Sequence, residues 1–125
     1  MHLLLDTQLF LWLARGSPRL SAQAKEMIEN ADKVYVSSAS IWEIAIKVAL
    51  KKLDADPDQL IHEIGANGFE ELPVLARHAK GVATLPHFHG DPFDRLLVAQ
   101  AISETMRLLT ADVQLAAYSE LVTLI

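Results

Sequence analysis

The sequence predicts an α/β fold built on a parallel sheet. Short apolar runs rich in β-branched residues recur along the chain. Helical patterns with explicit start signals separate them. No internal repeat, low-complexity tract or linker breaks the alternation. The first strand is expected at His2–Asp6, around Leu3-Leu4-Leu5. A helix follows at about Thr7–Ala14 and another at Ser21–Ala31. The second strand is expected at Lys33–Ser37 and the next helix at about Ser40–Leu53, where Ser40-Ile41-Trp42-Glu43 reads as a capping box. Asp56-Pro57-Asp58-Gln59 places a cap, a proline at the first helical position and a glutamine at the third, which predicts a helix over Pro57–Ala66 with Gly68 as its stop. A third strand at Phe69–Pro73 and a helix at about Leu75–Thr84 precede a loop, Pro86–Pro92, that carries His87, His89 and Gly90. Asp91-Pro92-Phe93-Asp94 repeats the cap-then-proline grammar and opens a helix to about Met106. Strands at Arg107–Thr110 and Leu121–Leu124 flank a last helix at about Asp112–Ser119.

Composition narrows the function. A length of 125 residues suits one domain, 1–125, and 51% apolar with 22% charged residues is a globular balance. Eleven Lys and Arg against 16 Asp and Glu leave a net charge of −5. Such a chain has no global attraction for nucleic acid or an anionic membrane, so a polyanionic substrate needs a local basic rim or a cation. Cysteine is absent, which excludes disulfides, thiol catalysis and zinc–thiolate sites. Met1-His2-Leu3-Leu4-Leu5-Asp6 lacks the basic flank of a signal peptide, and no apolar run approaches the ~20 residues that span a bilayer. A cytoplasmic protein without membrane association is expected.

The informative feature is the position of four acids. Asp6 ends the first strand, Glu43 stands one turn into the helix after the second, Asp94 opens the helix leading to the fourth, and Asp112 follows that strand. Helices in such folds run antiparallel to the strands, so strand ends and helix starts meet at the carboxyl edge, where open α/β sheets bind ligands. If the first, second and fourth strands are neighbours, the four acids share one pocket. Clustered carboxylates repel each other, and a hard divalent cation relieves that repulsion while bridging to phosphate oxygens. Helix capping also favours each acid singly, by ~0.3–1 kcal/mol, and Glu43 can pair with Lys47 at i,i+4. Capping leaves unexplained the apolar strands that feed two of the acids, and Asp94, whose helix Asp91 already caps.

These residues resemble the PIN-domain nucleases, and within them the VapC-type toxins of toxin–antitoxin pairs. The matching pieces are Leu4-Leu5-Asp6-Thr7, the stretch Val36 to Lys47, the phrase Asp91-Pro92-Phe93-Asp94-Arg95-Leu96-Leu97-Val98-Ala99-Gln100-Ala101, and Leu108-Leu109-Thr110-Ala111-Asp112. The resemblance covers nearly the whole chain. It implies a three-layer fold with a central, mostly parallel five-stranded sheet flanked by helices. It implies a Mg2+-dependent endoribonuclease, with Mn2+ as a substitute, that leaves 3′-hydroxyl and 5′-phosphate ends. Asp6 and Asp94 would then be the firmest metal ligands and catalytic residues, Asp112 would complete the site, and Glu43 would act directly or through water. Thr7, Ser37 and Thr110 would be polar helpers. The resemblance further implies a homodimer, an RNA substrate and a cognate antitoxin protein.

Other residues carry weaker signals. Arg95 can hold a phosphate or orient Asp94, or face solvent or an antitoxin. Lys47, Lys51 and Lys52 read as a solvated face, with an RNA rim as the other reading. His87 and His89 read as ordinary loop residues, with substrate contact as the lesser reading, since a pair two apart is a weak metal signal. The first helix is apolar nearly all round. Leu9, Phe10, Trp12 and Leu13, with Trp42 nearby, are therefore expected to form an antitoxin or dimer surface. A phospho-receiver fits poorly, because Asp6 has no acidic neighbour, and an Asp-x-Asp phosphatase fails at Gln8. A catalytically silent PIN-like module that binds RNA or a partner is the alternative to the nuclease.

Overall fold

Leu3, Leu4 and Leu5 are all buried, as a central parallel strand covered on both faces requires. The computed structural model describes all 125 residues. The chain runs β1 (His2–Leu5), α1 (Thr7–Ala14), α2 (Ala22–Asn30), β2 (Lys33–Ser37), α3 (Ser38–Ala49), α4 (Pro57–Ala66), β3 (Glu70–Leu72), α5 (Ala76–Gly81), a 3-10 turn (Val82–Thr84), α6 (Pro92–Glu104), β4 (Arg107–Thr110), a 3-10 segment (Val113–Tyr118) and β5 (Val122–Leu124). The strand order is β3-β2-β1-β4-β5, with every pairing parallel. No helix is long and apolar enough to cross a membrane.

Side chains alternate across β1, and each face meets its own helical layer. Leu3 and Leu5 join Val34, Val36, Phe10, Ile44, Leu60 and Ile64 on the face covered by α1 to α4. Leu4 joins Leu97, Val98, Ala101, Leu108 and Leu115 on the α6 face. The result is three layers around a five-stranded sheet. Register places the site: Leu5 pairs with Val36 on one side and Leu109 on the other. Asp6, Ser37 and Thr110 therefore end three adjacent strands side by side.

Several local expectations are corrected. The capping box at Ser40 does not form. α3 starts two residues earlier, with Ser37 Oγ accepting from Ala39 N at 3.0 Å. Ser40 is instead buried and takes a 2.8 Å hydrogen bond from Thr7 Oγ1. α3 also stops short of Leu53, because Lys51 adopts φ 57° and its neighbour Lys52 N–H returns to the Lys47 carbonyl at 2.8 Å. That is the left-handed stop usually given to glycine, which Gly68 (φ 74°) supplies after α4. The helix expected at Asp112–Ser119 is a 3-10 segment.

The partner surface expected on α1 is corrected at Leu9 and Phe10. Leu9 and Phe10 are 2% and 0% exposed, and Trp12 and Leu13 are half-buried on the same core. α1 follows the central strand directly and packs against residues of α2, α3 and α4, so its apolar surface at Leu9 and Phe10 is met internally, while Trp12 and Leu13 stay partly open. The most exposed large aromatic is Trp42, 60% exposed and set edge-on to Phe93 at 5.1 Å, on the rim of an apolar groove of about 280 Å³.

Truncating a fully buried phenylalanine leaves a cavity. Phe10→Ala should therefore cost ~3–5 kcal/mol of stability, read as a lower melting temperature and urea midpoint. A variant that melts like the parent would place Phe10 outside the core.

Candidate functional site

The carboxyl edge of the sheet opens into a pocket of about 320 Å³. Asp6, Glu43, Asp91, Asp94 and Asp112 line it, with Thr7, Gln8 and one cation, Lys47. The four acids singled out in the sequence thus share one cleft, although 106 positions separate Asp6 from Asp112.

Each acid is placed by a local device. Asp6 caps α1: its Oδ1 accepts from Leu9 N at 2.7 Å, while Oδ2 accepts from Thr110 Oγ1 at 2.6 Å across the β1–β4 pair. Thr110 Oγ1 in turn accepts from Asp112 N at 3.0 Å. One hydroxyl therefore ties together the ends of two strands and two acids. Glu43 is buried in the second turn of α3, where its Oε2 takes a 2.8 Å bond from Lys47. Its Oε1 is buried with no hydrogen-bond partner. Asp91 Oδ1 caps α6 by accepting from Phe93 N and Asp94 N at 2.8 and 3.3 Å, which leaves the Asp94 side chain uncommitted to capping. Asp112 Oδ1 caps the 3-10 segment through Gln114 N at 2.9 Å.

The electrostatics follow from this crowding. Burial pushes the Asp6 carboxyl above its ordinary range, against the hydrogen bonds from Thr110 and Leu9, and the charges of Glu43 and Asp112 add to the rise. Burial also pushes Asp94 up to about 7, helped by Asp91, Glu43 and Asp6 and opposed by His89. The hydrogen bond to Glu43 holds Lys47 above its usual value, with Asp91 and Asp94 adding to it.

An all-oxygen carboxylate set, one buried oxygen without a partner, and protonation pressure on Asp6 and Asp94 fit a hard divalent cation. Such an ion supplies the charge that the single lysine does not.

Two expected helpers act elsewhere. Ser37 is fully buried and spends its hydroxyl on capping α3, so it does not reach the pocket. Arg95 is buried behind the site. Its guanidinium donates to the carbonyls of Pro86, Val82 and Leu85 at 2.7, 3.2 and 3.3 Å and to Tyr118 OH at 3.1 Å. It pins the loop between the Val82–Thr84 turn and α6, and is neither a phosphate ligand nor a surface residue, because adjacent helix positions point apart and Asp94 takes the pocket side. Thr110 holds a carboxylate of the pocket, Asp6 Oδ2, whereas Thr7 lines the pocket but spends its hydroxyl on buried Ser40.

The residue whose place the sequence reading understates is His89, expected as an ordinary loop residue. Its Nε2 lies 2.9 Å from Asp112 Oδ2 and 3.3 Å from Asp94 Oδ2. Its place two residues before the cap of the helix bearing Asp94 was the available signal, since a loop entering a helix at the carboxyl edge runs past the strand-end acids. His87 is exposed, as an ordinary loop residue would be.

Comparisons with known proteins agree with this geometry. The PIN domain family model matches residues 3–121. Ribonuclease VapC22 of Mycobacterium tuberculosis is 34% identical over 121 residues, covering 92% of this chain and 90% of its own. Among solved structures, VapBC2 from Rickettsia felis bound to a promoter DNA fragment superposes with a TM-score of 0.73 at 17% identity, covering 100% of this chain and 98% of that one. A toxin–antitoxin complex from Klebsiella pneumoniae gives 0.66 at 16% identity, covering 96% and 94%. FitAB bound to the IR36 DNA fragment gives 0.64 at 20%, covering 97% and 93%. At these identities the structures speak for the fold.

The raised Asp94 pKa has a signed consequence. The folded state prefers the protonated carboxyl, so its contribution to stability is complete below about pH 4, the unfolded pKa, and is lost as pH rises through about 7. Asp94→Asn should therefore melt above the parent at pH 8 without added cation, by about 2 kcal/mol after allowance for partial exposure, with the gap closing toward pH 4. Thermal melts across that range check it, and a gap independent of pH would contradict the assignment.

Proposed function

The chain belongs to the PIN-domain family, and from that footing we propose that it is a divalent-cation-dependent endoribonuclease, the toxin half of a toxin–antitoxin pair. The observation that carries this is Glu43 Oε1, a buried carboxylate oxygen without a partner in a pocket walled by five carboxylates. Asp6, Asp94, Asp112 and Glu43 would hold the ion, magnesium by preference with manganese as a substitute, since every donor is a hard oxygen. When bound, the ion supplies a lowered pKa for an attacking water and neutralisation of charge on the scissile phosphate.

The chain's own residues do the positioning. Thr110 and the Leu9 amide lock both oxygens of Asp6, so that carboxylate presents its remaining lone pairs in one orientation. Lys47 holds Glu43 Oε2 and brings the one positive side chain of the wall to an RNA backbone. Because the chain carries a net −5, attraction for RNA is confined to this cleft. Splayed, single-stranded or loop RNA suits an edge site better than duplex. The relatives support this reading: VapC22 is a ribonuclease, and the Klebsiella pneumoniae structure is a toxin–antitoxin complex. A homodimer belongs to the same proposal.

Purified protein should cleave RNA with Mg2+ and stop with EDTA. Asp6→Asn and Asp94→Asn should each lower the rate by about a hundredfold or more, since losing a ligand exceeds the ~10–100-fold cost of losing an outer-shell partner. Cleavage that survives chelation or both substitutions would overturn the metal mechanism. RNA binding without cleavage would favour the silent binding module. Growth arrest on expression, relieved by the same substitutions, checks the toxin role.

A further inference from the structure

We propose that His89 is a positioning residue of this centre. It donates from Nε2 to Asp112, lies 3.3 Å from Asp94 Oδ2, sets both carboxylates for the cation, and does not itself bind the ion. This rests on reading the pocket as a metal centre.

His89, Asp94 and Asp112 bring one donor atom each within 4.8 Å of one another, so proximity alone would allow a three-residue ligand set. The other side of the ring decides. His89 Nδ1 lies 3.2 Å from Asp91 N, and a backbone N–H can only donate. Nδ1 therefore keeps its lone pair, and the proton sits on Nε2, facing Asp112 Oδ2 at 2.9 Å and Asp94 Oδ2 at 3.3 Å. A ligating histidine needs the reverse: a free lone pair on Nε2 and an Nδ1–H aimed at an acceptor. Here that Nδ1–H would point into the Asp91 N–H. The chain uses the same arrangement away from the pocket. Leu75 N donates to His78 Nδ1 at 3.0 Å, and His78 Nε2 meets Glu104 Oε1 at 3.0 Å.

The ring is itself anchored. His89 N donates to Tyr118 OH at 2.9 Å, and that hydroxyl also receives Arg95 Nη1 at 3.1 Å. Arg95, buried and outside the pocket, thus acts on the site through Tyr118 and the His89 backbone. Asp112 and Asp94 come from different elements, and His89 is the side chain that bridges them.

The test uses the full chain and reads binding, not turnover. Mg2+ and Mn2+ affinities are measured by calorimetry on the parent, His89→Ala, His89→Gln and Asp94→Asn. Long-range 1H–15N correlations of His89 are recorded before and after Mg2+. His89→Ala should weaken both ions equally, by about 10–100-fold. His89→Gln, which keeps an N–H at similar reach, should recover most of that loss, and the ring should stay protonated at Nε2 with Mg2+ bound. Transfer of the proton to Nδ1 on binding, or a loss for Mn2+ far larger than for Mg2+, would make His89 a ligand and overturn the proposal. Unchanged affinities in His89→Ala, or a loss that Gln does not recover, would overturn it too. If the parent binds while Asp94→Asn does not, such a failure leaves the metal centre standing. If the parent binds neither ion, both fall together.

Discussion

Five carboxylates in one cleft of about 320 Å³ repel one another, and the local architecture is organised around containing that repulsion. Three of them are tied to backbone amides as helix caps, Asp6, Asp91 and Asp112, so part of their charge is met by N–H groups at helix starts. Glu43 is met on one oxygen by Lys47, and Asp94 is faced by His89 and, at longer range, by Lys47. What these contacts leave unsatisfied is concentrated at Glu43 Oε1 and at the elevated Asp94. The fold thus concentrates unmet negative charge at one point, and the proposed cation would answer it.

The sheet makes this possible by putting β1 at its centre. A parallel pairing on either side brings the ends of β2 and β4 level with the end of β1, so Thr110 sits within one hydrogen bond of Asp6. Helices returning antiparallel then start at the same edge and bring Glu43 and Asp94 over it. Behind the edge, Arg95 and Tyr118 stiffen the loop that carries His89. A buried guanidinium satisfied by three carbonyls and a hydroxyl holds irregular backbone that has no ladder of its own.

Much of this was legible before any coordinates. Asp91-Pro92-Phe93-Asp94 separates the acid that caps from the acid that is free, and the structure keeps that division. The four acids were legible because strand ends and helix starts are local signals with a fixed geometric meaning. The errors have equally specific causes. Ser40 read as a cap, but it lies inside α3, which Ser37 caps, and its hydroxyl is claimed by Thr7 from 33 residues away. The apolar wrap of α1 looked like an interface because sequence does not show that α2, α3 and α4 all pack against it. Arg95 beside Asp94 looked like a phosphate group's partner, and only the folded loop reveals carbonyls waiting behind it.

The sequence by itself determined the alternation of strands and helices, the edge at which each acid stands, and the absence of any thiol or broadly basic surface. Period, cap chemistry and composition are local properties that need no partner. The tertiary structure decided which strands are neighbours, which carboxylates share a cleft, which side of His89 faces them, and that Leu9 and Phe10 of α1 are covered. Those outcomes depend on backbone amides, carbonyls and apolar faces that find each other across long separations only when the whole chain packs.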